Sequence, residues 1–291
     1  MINVGLRVRR AVAEDHQQIA NLLLYEANTH RHLDWRPPLE WIGSPNYWVL
    51  EEDGHIAAAL ACPEDPPQVA WIRLFGYHPH LSATEAWAAL WEAARNEIIH
   101  SDSKTQVAVI VVKHWFQNIL LSSGFELKQN ITLLQLTSEN VRSFPAPQEI
   151  QIRPMQESDI HAVTEVDLAA FGKFWHNTFD ALQKARLQSL SATVAEDALG
   201  AIIGYQLSTG NLFGAHLARL AVGPEAQGKG VGAALVSDLF QRIGVSQLER
   251  LSVNTQADNA ASLSLYKKLG FVSTGENFPV LVYPISKEFN G

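Results

Sequence analysis

The 291-residue sequence has one cysteine, no long hydrophobic run and no excess of positive charge. With Cys62 alone, the chain cannot form an internal disulfide, and a cysteine-based metal knuckle is excluded. Apolar runs such as 107–112 are far shorter than the ~20 residues that cross a bilayer. The basic segment 1–10 lacks the apolar centre of a signal peptide. These absences predict a soluble, cytoplasmic protein without a membrane partner.

The charge and the composition are those of a globular protein. The chain has 22 basic and 30 acidic residues, a net charge of −8, and 47% hydrophobic against 18% charged residues. Because neither half of the chain is basic, we expect no footprint for a phosphate backbone and no nucleic-acid partner. At roughly 100–200 residues per domain, the length allows two domains.

Three short segments recur along the chain in the same order. Residues 8–15 return as 152–159, 121–125 as 267–271, and 131–136 as 278–283, at offsets of 144, 146 and 147. Three matches at a nearly constant offset predict a duplication. We expect one domain at 1–140 and a second at 150–291, joined by a proline-containing linker at 137–149.

In the second half, the hydrophobic pattern predicts alternating strands and helices. Strands are expected at 151–153, 200–207, 216–222 and 250–254, and helices at 231–243 and 260–269. Ser158 or Asp159 is placed to cap a further helix, and Gly270 to end the last one. A helix between two strands implies parallel pairing, so the predicted fold class is α/β, of a mixed α+β type.

A glycine-rich turn joins the strand at 216–222 to the helix at 231–243. Gly228, Gly230 and Gly232 have no side chains, so consecutive N–H groups can converge on an anion beside the positive end of the helix. A diphosphate is the ligand that this arrangement favours, and an ordinary glycine-rich loop is the alternative. The spacing matches neither the dinucleotide fingerprint nor a P-loop.

A second group of polar residues follows further along the chain. Asn254 lies in the next predicted strand, and Asn259 begins the last helix, with Tyr266 seven residues on and on the same face. A tyrosine of pKa near 10 can protonate a thiolate whose intrinsic pKa is about 8.5. The alternative is a tyrosine that packs in the core.

Taken together, the Leu-Ala-Val strand end, the glycine turn and the helix from Asn259 to Phe271 closely resemble the GNAT superfamily of acyl-CoA-dependent N-acyltransferases. The resemblance is specific over roughly 217–271. It implies two strands that splay apart around acetyl-CoA, with Tyr266 as the general acid. It also implies contacts to acetyl-CoA from the strands, the turn and both helices: Leu220, Ala221, Val222, Gln227, Gly228, Lys229, Gly230, Val231, Gly232, Ala233, Asn254 and Asn259.

The same resemblance implies that an amine attacks the thioester directly, without a covalent enzyme intermediate. At pH 7 an amine of pKa 10.4 is neutral about once in 2,500 molecules, which costs about 4.6 kcal/mol, so a proton acceptor is needed. His216 occupies the strand position that carries Glu or His in some branches of the family, with a packed histidine as the alternative. Glu225 is a poorer choice because it would lie beside the phosphates.

The acceptor amine stays open. The ribosomal-protein alanine acetyltransferases, one branch of the family, have a catalytic Glu where this chain has Asn254, and an amide cannot act as a base. The segment 171–175 resembles the aromatic acceptor loop of that branch, with a loop merely anchored by aromatics as the alternative. The acceptor is therefore either a small molecule or a protein amine, and the oligomeric state and acyl length are not determined.

The first half lacks the glycine turn and the acid. At an offset of 146, side chains replace the functional residues of the second half: Leu81, Ser82, Thr84, Ala86 and Leu120. Seven of the eight tryptophans lie in this half, at 35, 41, 48, 71, 87, 91 and 115, which predicts core packing rather than a ligand cage. We interpret it as a degenerate copy that supports the second, a tandem layout that resembles the mycothiol synthases.

The sequence thus predicts two tandem GNAT-like domains, each a twisted mixed sheet flanked by helices, of which the second is an active acetyltransferase. The competing interpretation is a CoA-binding sensor or scaffold without efficient turnover. No metal is expected, because His30-x-His32 and His78-x-His80 have no third ligand at a suitable spacing.

Overall fold

The computed structural model describes residues 5–32, 34–100, 104–211, 214–244 and 250–284. The chain folds into two compact units: unit 1 comprises Met1–Lys128 with Pro279–Gly291, and unit 2 comprises Gln129–Phe278. These limits differ from the domain limits 1–140 and 150–291 that the repeat predicts. The difference arises because two long strands each contribute residues to both units: β8 at Glu126–Leu136 and β14 at Val272–Tyr283.

The described residues of unit 1 form three α-helices and two groups of strands. Its helices are α1 (His16–Leu22), α2 (Ala83–His100) and α3 (His114–Ser122). Its strands before β8 are β1 (Leu6–Arg10), β2 (Thr29–Arg31), β3 (Tyr47–Glu52), β4 (His55–Ala61), β5 (Val69–Trp71), β6 (Leu74–Tyr77) and β7 (Gln106–Ile110). Five of them form an antiparallel sheet in the order β1-β3-β4-β6-β2, while β5 pairs in parallel with β7.

The described residues of unit 2 form four α-helices and a larger mixed sheet. Its helices are α4 (Ile160–Trp175), α5 (Phe179–Gln188), α6 (Val231–Arg242) and α7 (Ala260–Leu269). Its further strands are β9 (Gln151–Pro154), β10 (Ser191–Glu196), β11 (Ile202–Asn211), β12 (Gly214–Val222) and β13 (Leu251–Gln256). The strand order is β14-β8-β13-β12-β11-β10-β9, with β12 and β13 parallel. The predicted mixed α/β fold is therefore confirmed.

The helices of unit 2 begin and end for local reasons. Helix α6 buries Leu235, Leu239 and Phe240 against the sheet, which is the face that its periodicity predicts. Helix α7 has the predicted limits and ends at Gly270, where φ is 101° and an added Cβ would lie 1.8 Å from Asn140 O. The structure adds β10 and α5, which the sequence pattern did not predict. No helix among the described segments is both long enough and apolar enough to cross a bilayer.

One feature of the predicted duplication is reproduced bond by bond. Arg9 donates to both carboxylate oxygens of Asp15 at 2.7 and 2.9 Å. Arg153 donates to both carboxylate oxygens of Asp159 at 2.6 and 2.9 Å. Each arginine also binds a glutamate on a neighbouring strand, at Glu51 and Glu196. Each aspartate further accepts a main-chain N–H three residues before it, so the expected capping carboxylate of Asp159 binds Gln156 N rather than the start of α4.

We expect Asp159→Asn to lower the free energy of unfolding at pH 7 by about 1–3 kcal/mol, because Arg153 loses its charge-assisted hydrogen bonds. Hydrogen bonding to Arg153 lowers the pKa of Asp159 below 3.8, so the advantage of the wild type is complete above pH 3.8 and declines as the pH falls through the lowered pKa. Urea denaturation followed by circular dichroism at several pH values measures this difference.

The matched control is Glu157→Gln, which removes an exposed contact to Arg186 at 3.6 Å and is expected to change stability by less than about 0.5 kcal/mol. Equal losses in the two variants would contradict the assignment of Arg153 and Asp159 as a stabilising pair.

Candidate active site

Strands β12 and β13 diverge inside the sheet of unit 2. They pair only where Ala215, His216 and Leu217 face Leu251, Ser252 and Val253. Beyond these positions β12 continues to Val222, bonded on its outer side to β11, and β13 continues to Gln256, bonded on its outer side to β8. The predicted splay is therefore confirmed, and a gap opens toward the carboxyl ends of both strands.

Main-chain groups of β12 line one side of this gap. Gly223 N donates to Ile203 O at 2.9 Å, which sets the alternation of the antiparallel ladder. Ala221 therefore exchanges its main-chain bonds with Tyr205 of β11, whereas Leu220 and Val222 direct their N–H and C=O groups into the gap. The carbonyl of Val222 also accepts from Gln227 Nε2 at 3.0 Å.

The turn after β12 exposes a row of N–H groups. Gly228 and Gly230 adopt φ of 74° and 86°, the left-handed region that favours glycine. In the helix that follows, the first N–H with a main-chain acceptor is that of Ala234, which donates to Gly230 O at 3.0 Å. Within the described part of the chain, the N–H groups of residues 228–233 have no hydrogen-bond acceptor. Unpaired donors at a helix N-terminus attract anions.

Side chains around this turn have different roles. Lys229 is exposed beside the N–H groups, while Val231 and Ala233 are buried and can offer a ligand only their main chain. Gly232 permits close packing, since an added Cβ would lie 3.1 Å from Leu265 Cδ2. The glycines at 228 and 230 therefore shape the turn, and the third brings α6 against α7.

Tyr266 approaches the sheet from the side of α6 and α7. It is 5% exposed and packs in one apolar cluster with Ala215, Leu217 and Phe271. Burial raises the pKa of Tyr266, so the phenol stays protonated at neutral pH. Its hydroxyl has no hydrogen-bond partner among residues 5–284 as far as they are described. The side chain is both a core residue and an unused proton donor.

His216 projects from the opposite face of the sheet. Its Nδ1 lies 2.9 Å from Ser252 Oγ, which faces it across the parallel pair. Ser252 Oγ also lies 3.5 Å from Ala215 O. In the tautomer whose Nδ1 carries the proton and donates to Ser252 Oγ, Nε2 is left as an acceptor. Burial lowers the pKa of His216, which keeps the ring neutral at pH 7.

Sequence reasoning did not identify Ser252. It lies two residues before Asn254 on the same face of β13, and that spacing is the only signal in the sequence that points to it. Asn254 itself is exposed on this face.

Asn259 has a structural task as well as the predicted contact to acetyl-CoA. Its Oδ1 accepts from Ser262 N at 3.0 Å and so caps α7. Its Nδ2 lies 3.5 Å from Gln256 Oε1. The second N–H of Nδ2 is therefore the part of this side chain that is left for a ligand.

The aromatic segment 171–175 is not a free loop. It forms the last turn of α4, interrupted at Gly172, where φ is 69° and ψ is 175°. The ring of Phe174 packs edge-on against that of Trp175 at 5.2 Å. The helical turn is interrupted because Gly172 adopts a positive φ, which takes the backbone out of the helical conformation at this residue.

Unit 1 repeats the strand pairing but fills the space beyond it. Strand β5 pairs with β7 at three positions, as β12 does with β13. Phe75 stands where the offset of 146 places Ala221, and its ring lies 5.2 Å from Trp87 and 5.1 Å from Phe116. The prediction that tryptophans of this half serve core packing is confirmed for the buried ones: Trp41, Trp71, Trp87 and Trp91. Among the described residues, no group of three metal-ligating side chains is placed to hold an ion.

Two proteins that are similar in sequence to part of this chain are named as acetyltransferases. The mycothiol acetyltransferase of Amycolatopsis mediterranei is 28% identical over 178 residues, which are 53% of this chain and 58% of that protein. The [ribosomal protein bS18]-alanine N-acetyltransferase of Salmonella typhimurium is 30% identical over 118 residues, 40% of this chain and 77% of that protein. The matches thus span a little over half the length of the mycothiol acetyltransferase relative.

Solved structures match over nearly the whole chain. A tandem GNAT protein from the clavulanic acid biosynthesis pathway gives a TM-score of 0.66 at 17% identity, covering 95% of this chain and 98% of that one. A GCN5-related N-acetyltransferase from Sphaerobacter thermophilus gives 0.63 at 17% identity, covering 97% and 96%. The model of the acetyltransferase (GNAT) family matches residues 160–271. This segment is therefore a GNAT-family domain, and the chain has the fold of the tandem GNAT proteins.

Proposed function

We propose that this protein is an acetyl-CoA-dependent N-acetyltransferase whose active site lies in unit 2. The observation that carries the proposal is the gap between β12 and β13, followed by a turn whose six consecutive N–H groups, those of residues 228–233, have no acceptor among the residues that the structure describes. The family match to 160–271 supports it, since this segment contains the gap, the turn and both flanking helices.

The turn suits the diphosphate of acetyl-CoA. The N–H groups of residues 228–233, which have no acceptor in the described part of the chain, lie at the positive end of α6, and exposed Lys229 lies beside them. Leu220 and Val222 would hold the extended arm of the molecule through main-chain bonds in the gap, with Asn254 and Asn259 on the far strand and helix. When bound there, acetyl-CoA supplies the acyl group.

His216 would take the proton from the attacking amine. The amine reaches neutrality at a cost of about 4.6 kcal/mol at pH 7, and a neutral imidazole nearby can accept that proton. Nε2 has the free lone pair because Nδ1 is engaged with Ser252. The lowered pKa of His216 means that the acceptor form persists below the usual value of 6.5.

Tyr266 would give a proton to the departing thiolate from the other face of the sheet. Its hydroxyl is protonated at all working pH values because burial raises the pKa of the side chain. Desolvation in the gap also makes a thiolate more basic, which favours the transfer. Acid and base would therefore act from opposite sides of one opening.

The acceptor is a primary amine of a class that screening must identify. The relatives carry names that refer to a small molecule in one case and a ribosomal protein in the other. Asn254 is an amide and cannot act as a carboxylate base, which favours a site that relies on His216. A panel with an alanine-leading peptide, a polyamine and an amino sugar, followed by CoA release, tests the activity. Acetyl-CoA binding without turnover of any amine would support the sensor alternative instead.

Gly230→Asp is expected to abolish acetyl-CoA binding, because it adds a negative side chain among the N–H groups. Isothermal titration measures the affinity. Gly230→Asn is the neutral counterpart at the same φ, and we expect it to retain measurable binding. Gly200→Asp introduces the same residue at another positive-φ glycine, away from the turn, and controls for backbone strain. Normal affinity in Gly230→Asp would show that the diphosphate binds elsewhere.

Tyr266→Phe is expected to lower turnover by about 10²-fold with little change in acetyl-CoA affinity, since only a proton donor is lost. Steady-state kinetics and titration on the same preparation separate the two effects. Tyr47→Phe is the matched control, because Tyr47 is likewise buried with a hydroxyl that lacks a partner. Full turnover in the Tyr266 variant would remove this residue from the mechanism.

His216→Asn is expected to lower turnover by about 10²-fold or more, and the wild-type kcat is expected to fall only below pH 6.5, because burial lowers the pKa of His216. The pH profile of kcat at saturating substrates measures both. His161→Asn, an exposed histidine on α4, serves as the control. A profile with no acid limb, together with an active His216 variant, would assign the base to another group.

A further inference from the structure

A largely buried arginine, whose side chain is 14% exposed, connects strand β12 to helix α4. Arg219 donates from Nε and Nη2 to the two carboxylate oxygens of Asp167, both at 2.8 Å. Its Nη2 also donates to the main-chain carbonyl of Trp175 at 2.7 Å, and its guanidinium carbon lies 3.5 Å from the ring centre of Phe171. One side chain thus makes three hydrogen bonds and one stacking contact.

The carboxylate of Asp167 is used completely. It is 0% exposed, and besides the arginine it accepts from Asn177 N at 2.6 Å and from the hydroxyl of Tyr205. Burial and the neighbouring carboxylate raise the pKa of Tyr205, so its hydroxyl remains a donor. The network therefore joins β11, β12 and α4 without an unpaired charge.

The main-chain groups that this network holds belong to one short segment. Trp175 O and Asn177 N both lie in the segment that leads from α4 to α5 and begins at the backbone break of Gly172. Residues 172–178 are thus fixed at two points by the pair of Arg219 and Asp167. We call this stretch the α4–α5 connection.

A β-bulge sets the direction of Arg219. The register of β11 against β12 passes from Leu207–Arg219 to Ser208–Leu217, so Ala218 has no partner. Side chains two residues apart normally share a face, and one extra residue makes it three. Arg219 therefore points to the same face as His216, and the α4–α5 connection lies on the side of the sheet where the amine would be deprotonated.

We propose that Arg219 and Asp167 form a positioning pair that holds the α4–α5 connection against the amine side of the site, so that it governs affinity for the amine and not for acetyl-CoA. This inference rests on the proposed function. Neither residue was identified from the sequence.

The chemistry of the pair supports positioning over mere stability. Buried ion pairs contribute little net stability compared with apolar residues of the same volume, whereas their directional bonds specify geometry. The planar guanidinium can bind a carboxylate with two N–H groups, donate to a carbonyl and stack on a ring together, which a lysine cannot do.

Unit 1 supplies a natural comparison. At the offset of 146, Arg73 is also buried, and its guanidinium lies 2.6 Å from Asp34 and donates to Asp65 O at 2.6 Å. Arg73 lies in unit 1, the copy that lacks the glycine turn. The same kind of substitution there tests what the loss of a buried pair does by itself.

The test is the double variant Asp167→Asn with Arg219→Met, studied in the full chain. It leaves no unpaired charge buried, and the introduced amide can still accept from Tyr205, so folding is preserved. Hydrogen exchange read by mass spectrometry on residues 172–178 reports whether the connection is released, and exchange is expected to quicken about tenfold or more. The KM of the amine with the highest rate in the panel is expected to rise about tenfold, with the KM and Kd of acetyl-CoA unchanged.

The control is Asp34→Asn with Arg73→Met, which should leave exchange of 172–178 at the wild-type rate. Unaltered exchange and amine KM in the Asp167 and Arg219 variant, or an equal rise of both KM values, would overturn the proposal. If the wild type neither binds acetyl-CoA nor acetylates an amine, the proposed function fails instead, and the proposed role in amine affinity fails with it. Even then, faster exchange of residues 172–178 in the double variant would show that the pair holds the connection, and unaltered exchange would show that it does not.

Discussion

The early end of the pairing between β12 and β13 is the constraint on which the rest of unit 2 depends. Had the two strands stayed paired, the N–H and C=O groups of Leu220 and Val222 would be bonded within the sheet. Because they are not, other groups must satisfy them: Gln227 Nε2 donates to the carbonyl of Val222, and the remaining groups are left for water or a bound molecule. Beyond this point β12 stays paired with β11 and β13 stays paired with β8, so the opening is part of the sheet itself.

The sheet also separates the proton acceptor from the proton donor that we propose. His216 and Tyr266 belong to opposite faces of the sheet. Burial acts on both side chains, lowering the pKa of the histidine and raising that of the tyrosine, so both are neutral at pH 7. Burial would thus favour the protonation state that each proposed role requires, a neutral base and a protonated acid. The bulge at Ala218 then places Arg219 on the histidine side, where it holds the connection between two helices.

The two copies show how one architecture can lose an opening. Unit 1 retains the ion-paired arginine at its first strand and the short parallel pairing of β5 with β7. Where unit 2 has the small Ala221, unit 1 has Phe75, whose ring packs edge-on against Trp87 of α2 and stacks on Phe116 of α3. Apolar area is buried at the position where unit 2 exposes main-chain groups, and this burial stabilises unit 1.

Local features of the sequence determined the helices, the glycine turn and the duplication. Helix α7 matches its predicted limits because its cap at Asn259 and its end at Gly270 are both encoded within a few residues. Helix α5 was not predicted because it buries only Leu182 and Ala185 and has little apolar periodicity. The tertiary structure alone decided that Ser252 meets His216 and that Asp167 meets Arg219, pairs that lie 36 and 52 residues apart. Strand register and a single bulge bring these groups together, and both depend on long-range pairing that no local pattern specifies.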